Sequence, residues 1–68
     1  MLSWTNPSGT YHLATGELGL WRLWQVEGSP KFWLEVSKQE KYVVEWLVRD
    51  KGLGITVAEA MEQEGKVW

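Results

Sequence analysis

The sequence of 68 residues predicts a small α+β domain in which an antiparallel sheet of three strands, or four, packs with one or two α-helices. Three observations support this prediction. Short segments that alternate between apolar and polar residues are separated by turn residues, which is typical of half-buried antiparallel strands. Two later segments begin with the capping-box pattern of a helix start. Hydrophobic residues make up 44% of the chain, as in folded domains.

The composition restricts the chemistry that the chain can use. It has no cysteine, so disulfides and thiolate metal ligands are excluded, and His12 is the only histidine. We therefore expect no metal and no cofactor. The length fits one domain over residues 1–68, near the lower size limit for an independent core. Six tryptophans supply the large apolar surfaces that such a small core needs.

The first half of the chain predicts three strands. Residues 5–9 have the proline and glycine of a turn, and residues 10–14 follow as a short strand. Residues 20–27 predict a second strand, with Trp21 on one face and Trp24 on the other. After a turn at residues 27–30, residues 31–36 predict a third strand. Its alternation places Phe32 on the core side and Trp33 on the opposite side.

Residues 37–52 have conflicting signals. Ser37 and Glu40 form a capping box, and Gly52 suits the residue that follows a helix. Between them lies the segment YVVEWLV, which consists mainly of residues that favour strands. The caps favour a helix, and we predict one here. The alternative is a fourth strand, paired with residues 32–36 in a hairpin.

The end of the chain predicts a helix near residues 57–64. Thr56 and Glu59 form a second capping box, and Gly65 is a typical helix stop. The residues between them favour helix, and the apolar side is narrow. A helix this short depends on packing against the sheet for its stability.

The sequence does not predict an enzyme. A nucleophile needs a base and an orienting group close by, and the serines lie in turn or cap positions while His12 lies in a predicted strand. The acidic side chains of the last helix could serve as paired carboxylates, but we expect them on a solvated helix face. These side chains are Glu59, Glu62 and Glu64.

A surface of aromatic and charged residues is the candidate functional site. Trp33 is expected to face away from the core, and we place Trp21 on the same side of the sheet. We therefore predict that Trp21, Arg22, Trp33 and Glu35 contact a partner, with Arg22 included only if its strand is bulged or lies at the sheet edge. Exposed Trp and Arg are typical of interface centres, so the expected partner is another protein or a second copy of the chain. The competing interpretation is that these tryptophans are covered by a helix.

Charge and hydropathy restrict the other partners. The net charge is -2 and no basic patch is present, so binding to a nucleic acid is a second hypothesis without support from charge. No apolar run approaches about 18 residues, so we expect no membrane partner. We expect the chain in the cytoplasm.

The segments WTNPSGTYHL (4–13) and GITVAEAMEQE (54–64) resemble those of short phage and prophage proteins. That resemblance implies an antiparallel meander closed by a C-terminal helix, with strand in the middle of the chain. It also implies a non-enzymatic inhibitor of a bacterial defence complex, similar to anti-CRISPR proteins, that acts in the host cytoplasm. Such inhibitors occlude a protein surface or imitate nucleic-acid charge. The alternative is a small phage regulatory protein that binds nucleic acid.

Overall fold

The computed structural model describes residues 2–39 and 42–68, which form five strands and one helix, so the predicted α+β class is confirmed. The strands make one antiparallel sheet in which each strand pairs with the next along the chain. The sheet has one strand more than the larger of the two predicted numbers. The elements are β1 (Thr5–Ser8), β2 (Tyr11–Gly16), β3 (Gly19–Gln25), β4 (Phe32–Lys38), β5 (Tyr42–Val48) and α1 (Lys51–Glu64).

The three predicted strands correspond to β2, β3 and β4, with ends displaced by one or two residues. Strand β1 lies in the segment that was predicted to be a turn. All four of its residues are exposed, so the sequence there has no alternation to reveal a strand. It pairs with β2 through Thr5 opposite Leu13 and Ser8 opposite Tyr11, with an irregular register between these pairs.

The prediction of a helix over residues 37–52 is wrong, and the strand alternative is found instead. Ser37 lies within β4, and β5 is antiparallel to β4 with Phe32 opposite Val48 and Leu34 opposite Trp46. Pairing with β4 lets the β-branched and aromatic residues of β5 pack on a sheet, where their propensity is favourable. Glu40, the second residue of the predicted capping box, lies outside the described residues.

Helix α1 begins six residues earlier than the Thr56 capping box predicts. Asp50 is the N-cap: its backbone is extended and its carboxylate accepts a hydrogen bond from the Leu53 amide at 2.8 Å. This bond and the neighbouring Arg49 hold the pKa of Asp50 below its usual value. The helix ends at Gly65 as predicted, because this residue adopts the left-handed conformation (φ 76°) that glycine tolerates.

The core lies between α1 and one face of the sheet. The helix packs against β3, β4 and β5, and Gly54 lies directly against the sheet. A Cβ at Gly54 would lie 2.7 Å from Leu23 and 3.2 Å from Val48, so the missing side chain permits the close approach. No helix in the described part of the chain is long and apolar enough to cross a bilayer. The buried apolar residues are Ala14, Trp21, Leu23, Leu34, Val36, Val48, Ala58 and Met61.

Candidate functional site: the open face of the sheet

The two faces of the sheet differ in what covers them. Helix α1 covers the face that presents Trp21, Leu23 and Leu34. Over residues 2–39 and 42–68, no element packs on the opposite face, which we call the open face. Because side chains alternate along a strand, the open face consists of every second residue. Over β2 to β5 these are Tyr11, Leu13, Thr15, Leu20, Arg22, Trp24, Trp33, Glu35, Ser37, Val43, Glu45 and Leu47.

One row of the open face is almost entirely aromatic. Tyr11 lies opposite Trp24, Trp24 opposite Trp33, and Trp33 opposite Leu47, so the row crosses four strands. The rings of Tyr11 and Trp24 are stacked, with centroids 6.4 Å apart and planes inclined by 20°. We call these four residues the aromatic row. Leu47, at its outer end, is 49% exposed.

The next row is charged. Arg22 on β3 lies opposite Glu35 on β4, and its Nε is 3.6 Å from the Glu35 carboxylate. Glu35 in turn lies opposite Glu45 on β5. The Glu35 side chain is only 14% exposed, against 44% for Arg22. We call Arg22, Glu35 and Glu45 the charged row, and it places two carboxylates side by side on neighbouring strands.

Beyond the charged row the open face becomes small and aliphatic. Leu20 lies opposite Ser37, and Ser37 lies opposite Val43. Val43, on the outer strand, is 53% exposed. The charged row is therefore flanked by apolar side chains on both sides.

The structure brings together three of the four predicted contact residues. Arg22, Trp33 and Glu35 share the open face, but Trp21 is fully buried under α1. The prediction that Trp21 shares a face with Trp33 is wrong, because Trp33 pairs with Trp24 in the observed register. The competing interpretation, that a helix covers the tryptophan, holds for Trp21 alone.

Most of the aromatic row is not predicted from the sequence. Tyr11 and Trp24 are not among the predicted contact residues, and Leu47 lies in the segment predicted as a helix. The alternation in β3 already separates Trp24 from Trp21, but both faces of that strand carry tryptophan. Only the pairing between strands shows which of the two lies beside Trp33. That register is a long-range property that alternation within one strand does not determine.

Glu62 was expected on a solvated helix face, but it contacts the sheet. Its carboxylate accepts hydrogen bonds from the Trp21 indole at 2.8 Å and from the backbone amides of Glu17 and Leu18, both at 3.0 Å. These three donors hold the carboxylate against the turn between β2 and β3. Glu62 is thus a structural acceptor.

His12 is buried on the helix-covered face, with its ring 6.5 Å from that of Phe32. Burial, together with the positive charge of Lys51, lowers its pKa below the usual value for histidine. In the part of the chain that the structure describes, no group of three or more acidic or histidine side chains is arranged to hold a metal ion.

The two edges of the sheet differ. The β1 edge has four residues, contains Pro7 and has an irregular register, all of which hinder pairing with another strand. The β5 edge has seven residues without proline or glycine. Its open-face residues Val43 and Leu47 are about half exposed. The β5 edge is therefore the one suited to pairing with a further strand.

No protein-family model, curated protein or solved structure matches this chain. The function is therefore inferred from the chemistry of the open face.

Proposed function

We propose that the chain is a non-enzymatic protein-binding module and that the open face is its contact surface. The aromatic row carries this proposal: Tyr11, Trp24, Trp33 and Leu47 form a continuous apolar row on a face that no described element covers. Tyr11, Trp24 and Trp33 are partly exposed and Leu47 is 49% exposed. Contiguous exposed apolar surface on a protein often marks an interaction site. Tyrosine, tryptophan and arginine are also the residues enriched at interface centres.

The charge of the open face favours a protein over a nucleic acid. Aromatic rows on a sheet can stack on single-stranded bases, but such sites also track the phosphate backbone with basic side chains. Here Arg22 is accompanied by Glu35 and Glu45, so the face has one positive and two negative charges. Nucleic-acid binding remains the alternative function. Titration with single-stranded and duplex DNA at low salt tests it, because strong and salt-sensitive affinity would support the alternative.

The resemblance to phage proteins gives the proposal its specific form, an inhibitor of a bacterial defence complex that acts in the host cytoplasm. An inhibitor that occludes a protein surface needs a stable face with apolar anchors. The open face is stable because its strands are paired in one sheet and α1 packs on the other side of that sheet. The aromatic row supplies the apolar anchors.

Affinity capture from a bacterial lysate tests the proposal, with the wild-type chain, Trp33→Ala and Trp68→Ala as baits. Trp68 is a matched control because it is 54% exposed but lies at the C-terminus, outside the open face. Each protein retained by the wild type is then purified and its affinity measured alone. We expect a partner that binds the wild type and Trp68→Ala but not Trp33→Ala. A partner that binds all three equally would contradict the proposed surface.

Self-association is the second candidate, and the unprotected β5 edge favours it. Antiparallel pairing of β5 with β5 of a second copy would extend the sheet and join two open faces into one surface. Analytical ultracentrifugation over micromolar to millimolar concentrations tests this idea. We expect a concentration-dependent dimer, and a single monomeric species throughout would exclude it.

A further inference from the structure

Glu35 and Glu45 lie directly opposite each other on the open face, in the centre of the β4–β5 pair. Directly opposite side chains have Cβ atoms about 4.5–5.5 Å apart, and like charges in such positions repel. Arg22 compensates Glu35 from the β3 side, at 3.6 Å. Among the described residues Glu45 forms no ion pair. Over residues 2–39 and 42–68, the charged row therefore has no cation paired with its outer carboxylate.

We call Glu35 and Glu45 the acid pair, and apolar side chains lie on both sides of it along the strands. Trp33 precedes Glu35 by two residues on β4, and Leu47 follows Glu45 by two residues on β5, so both lie on the same face. Diagonal neighbours on adjacent strands are about 7–8 Å apart, within reach of a long side chain. A cation placed beside Glu45 could thus also approach the face of the Trp33 ring. On the other side of the acid pair, Val43 is 53% exposed.

Docking on the aromatic row would remove water from the acid pair. Glu35 is already largely shielded, with 14% of its side chain exposed. Covering two carboxylates with Arg22 as the single compensating cation leaves one negative charge unbalanced and carries a large desolvation penalty. A purely apolar partner would suffer this penalty, whereas a partner that supplies a cation would not. The acid pair therefore selects among the partners that the aromatic row attracts.

We propose that the open face recognises a polypeptide segment in which a lysine or arginine stands between apolar side chains. The basic side chain binds between Glu35 and Glu45, and its apolar neighbours pack on Trp33 and Leu47 on one side and on Val43 on the other. This inference rests on the proposed protein-binding function and names the chemistry of the partner.

Selection from a random peptide-display library tests it. The immobilised baits are the wild-type chain, Glu45→Gln, Trp33→Ala and Glu27→Gln. Glu27 is a matched control, because it is an exposed carboxylate that lies in the β3–β4 turn. On the wild type and Glu27→Gln we expect enrichment of peptides with one basic residue flanked by apolar residues. We expect Glu45→Gln to bind the same peptides about tenfold more weakly, and more so at low than at high salt.

Circular dichroism and thermal melting serve as the folding controls. Glu45→Gln removes a like-charge contact at an exposed position, so we expect an unchanged or higher melting temperature. Glu35→Gln is a second variant from the neighbouring strand, and it should weaken binding of the same peptides.

The outcomes separate the two proposals. If the enriched peptides depend on Trp33 but have no preference for basic residues, the recognition of a cation is excluded and the protein-binding proposal stands. If no enriched peptide depends on Trp33, both proposals are contradicted. Peptides that bind Glu45→Gln as tightly as the wild type would likewise exclude a role of the acid pair.

Discussion

The indole N–H of Trp21 donates a hydrogen bond of 2.8 Å to the carboxylate of Glu62, and this bond joins β3 to α1. Trp21 is fully buried, so its N–H needs an acceptor in the protein. The same carboxylate accepts from the amides of Glu17 and Leu18 in the turn between β2 and β3. Gly16 leaves the space that Glu62 occupies. These contacts fix α1 over one face of the sheet and leave the other face open.

Glu62→Gln is expected to lower the free energy of unfolding by about 1–3 kcal/mol, because a glutamine has one acceptor oxygen for three donors. The NH2 group of the glutamine would also face N–H groups that need an acceptor. The matched control is Glu59→Gln, the same substitution on the same helix at a side chain for which no hydrogen bond is found within the described residues. There we expect a change within about 0.5 kcal/mol. Urea denaturation measures both, and equal effects would contradict the role of Glu62.

Two glycines of α1 are expected to respond oppositely to alanine. Gly54→Ala would place a Cβ 2.7 Å from Leu23, a fully buried side chain, and should destabilise the fold by about 1–3 kcal/mol. Gly52→Ala meets only the Asp50 carboxylate, at 3.5 Å, and should stabilise the helix by about 0.5–1 kcal/mol. Thermal melting of the two variants distinguishes them. Stabilisation by Gly54→Ala would show that the helix does not lie as close to the sheet.

The burial of His12 predicts a loss of stability in mild acid. Its pKa is lowered in the folded protein, by burial first and by Lys51 second, so the folded state favours the neutral ring. The unfolded chain gains a proton near the ordinary value of about 6.5. The contribution of neutral His12 to the free energy of unfolding is therefore fully present above that pH. It decreases as the pH falls from there through the lowered pKa.

Urea denaturation at several pH values between about 7.5 and 5 tests this, with His12→Gln as the comparison. We expect the free energy of unfolding of the wild type to fall over this range and that of His12→Gln to change less. Parallel curves for the two proteins would contradict the assignment of this pH dependence to His12.

The sequence predicts three of the five strands, because β2, β3 and β4 each alternate and are bounded by turn residues. It does not predict β5 as the first choice, since Ser37 and Gly52 mimic helix caps at the two ends of a segment with strand propensity. What decides in favour of the strand is pairing with β4, which is a contact between distant residues. The start of α1 was missed because Gly52 and Gly54 are poor helix formers. Gly54 lies in the helix because the close approach to Leu23 requires a residue without a side chain.

The candidate site was predictable to the extent that it depends on alternation within one strand. Trp33 and Glu35 follow from such alternation, whereas Arg22 joins them on one face only through the register between β3 and β4. The acid pair depends on Glu45 facing Glu35, and the aromatic row depends on Trp24 facing Trp33. Both are consequences of the register between strands. For β5, the segment must also first be recognised as a strand and not a helix.

The affinity of the purified partner for Trp33→Ala, compared with Trp68→Ala, is the most direct test of the open face as the contact surface. Truncation of an aromatic side chain at an interface centre typically costs 2 kcal/mol or more, about thirtyfold in affinity. By isothermal titration calorimetry we expect Trp33→Ala to bind about thirtyfold more weakly than the wild type while its circular dichroism is unchanged. Trp68→Ala should bind like the wild type. Wild-type affinity for a correctly folded Trp33→Ala would contradict the account.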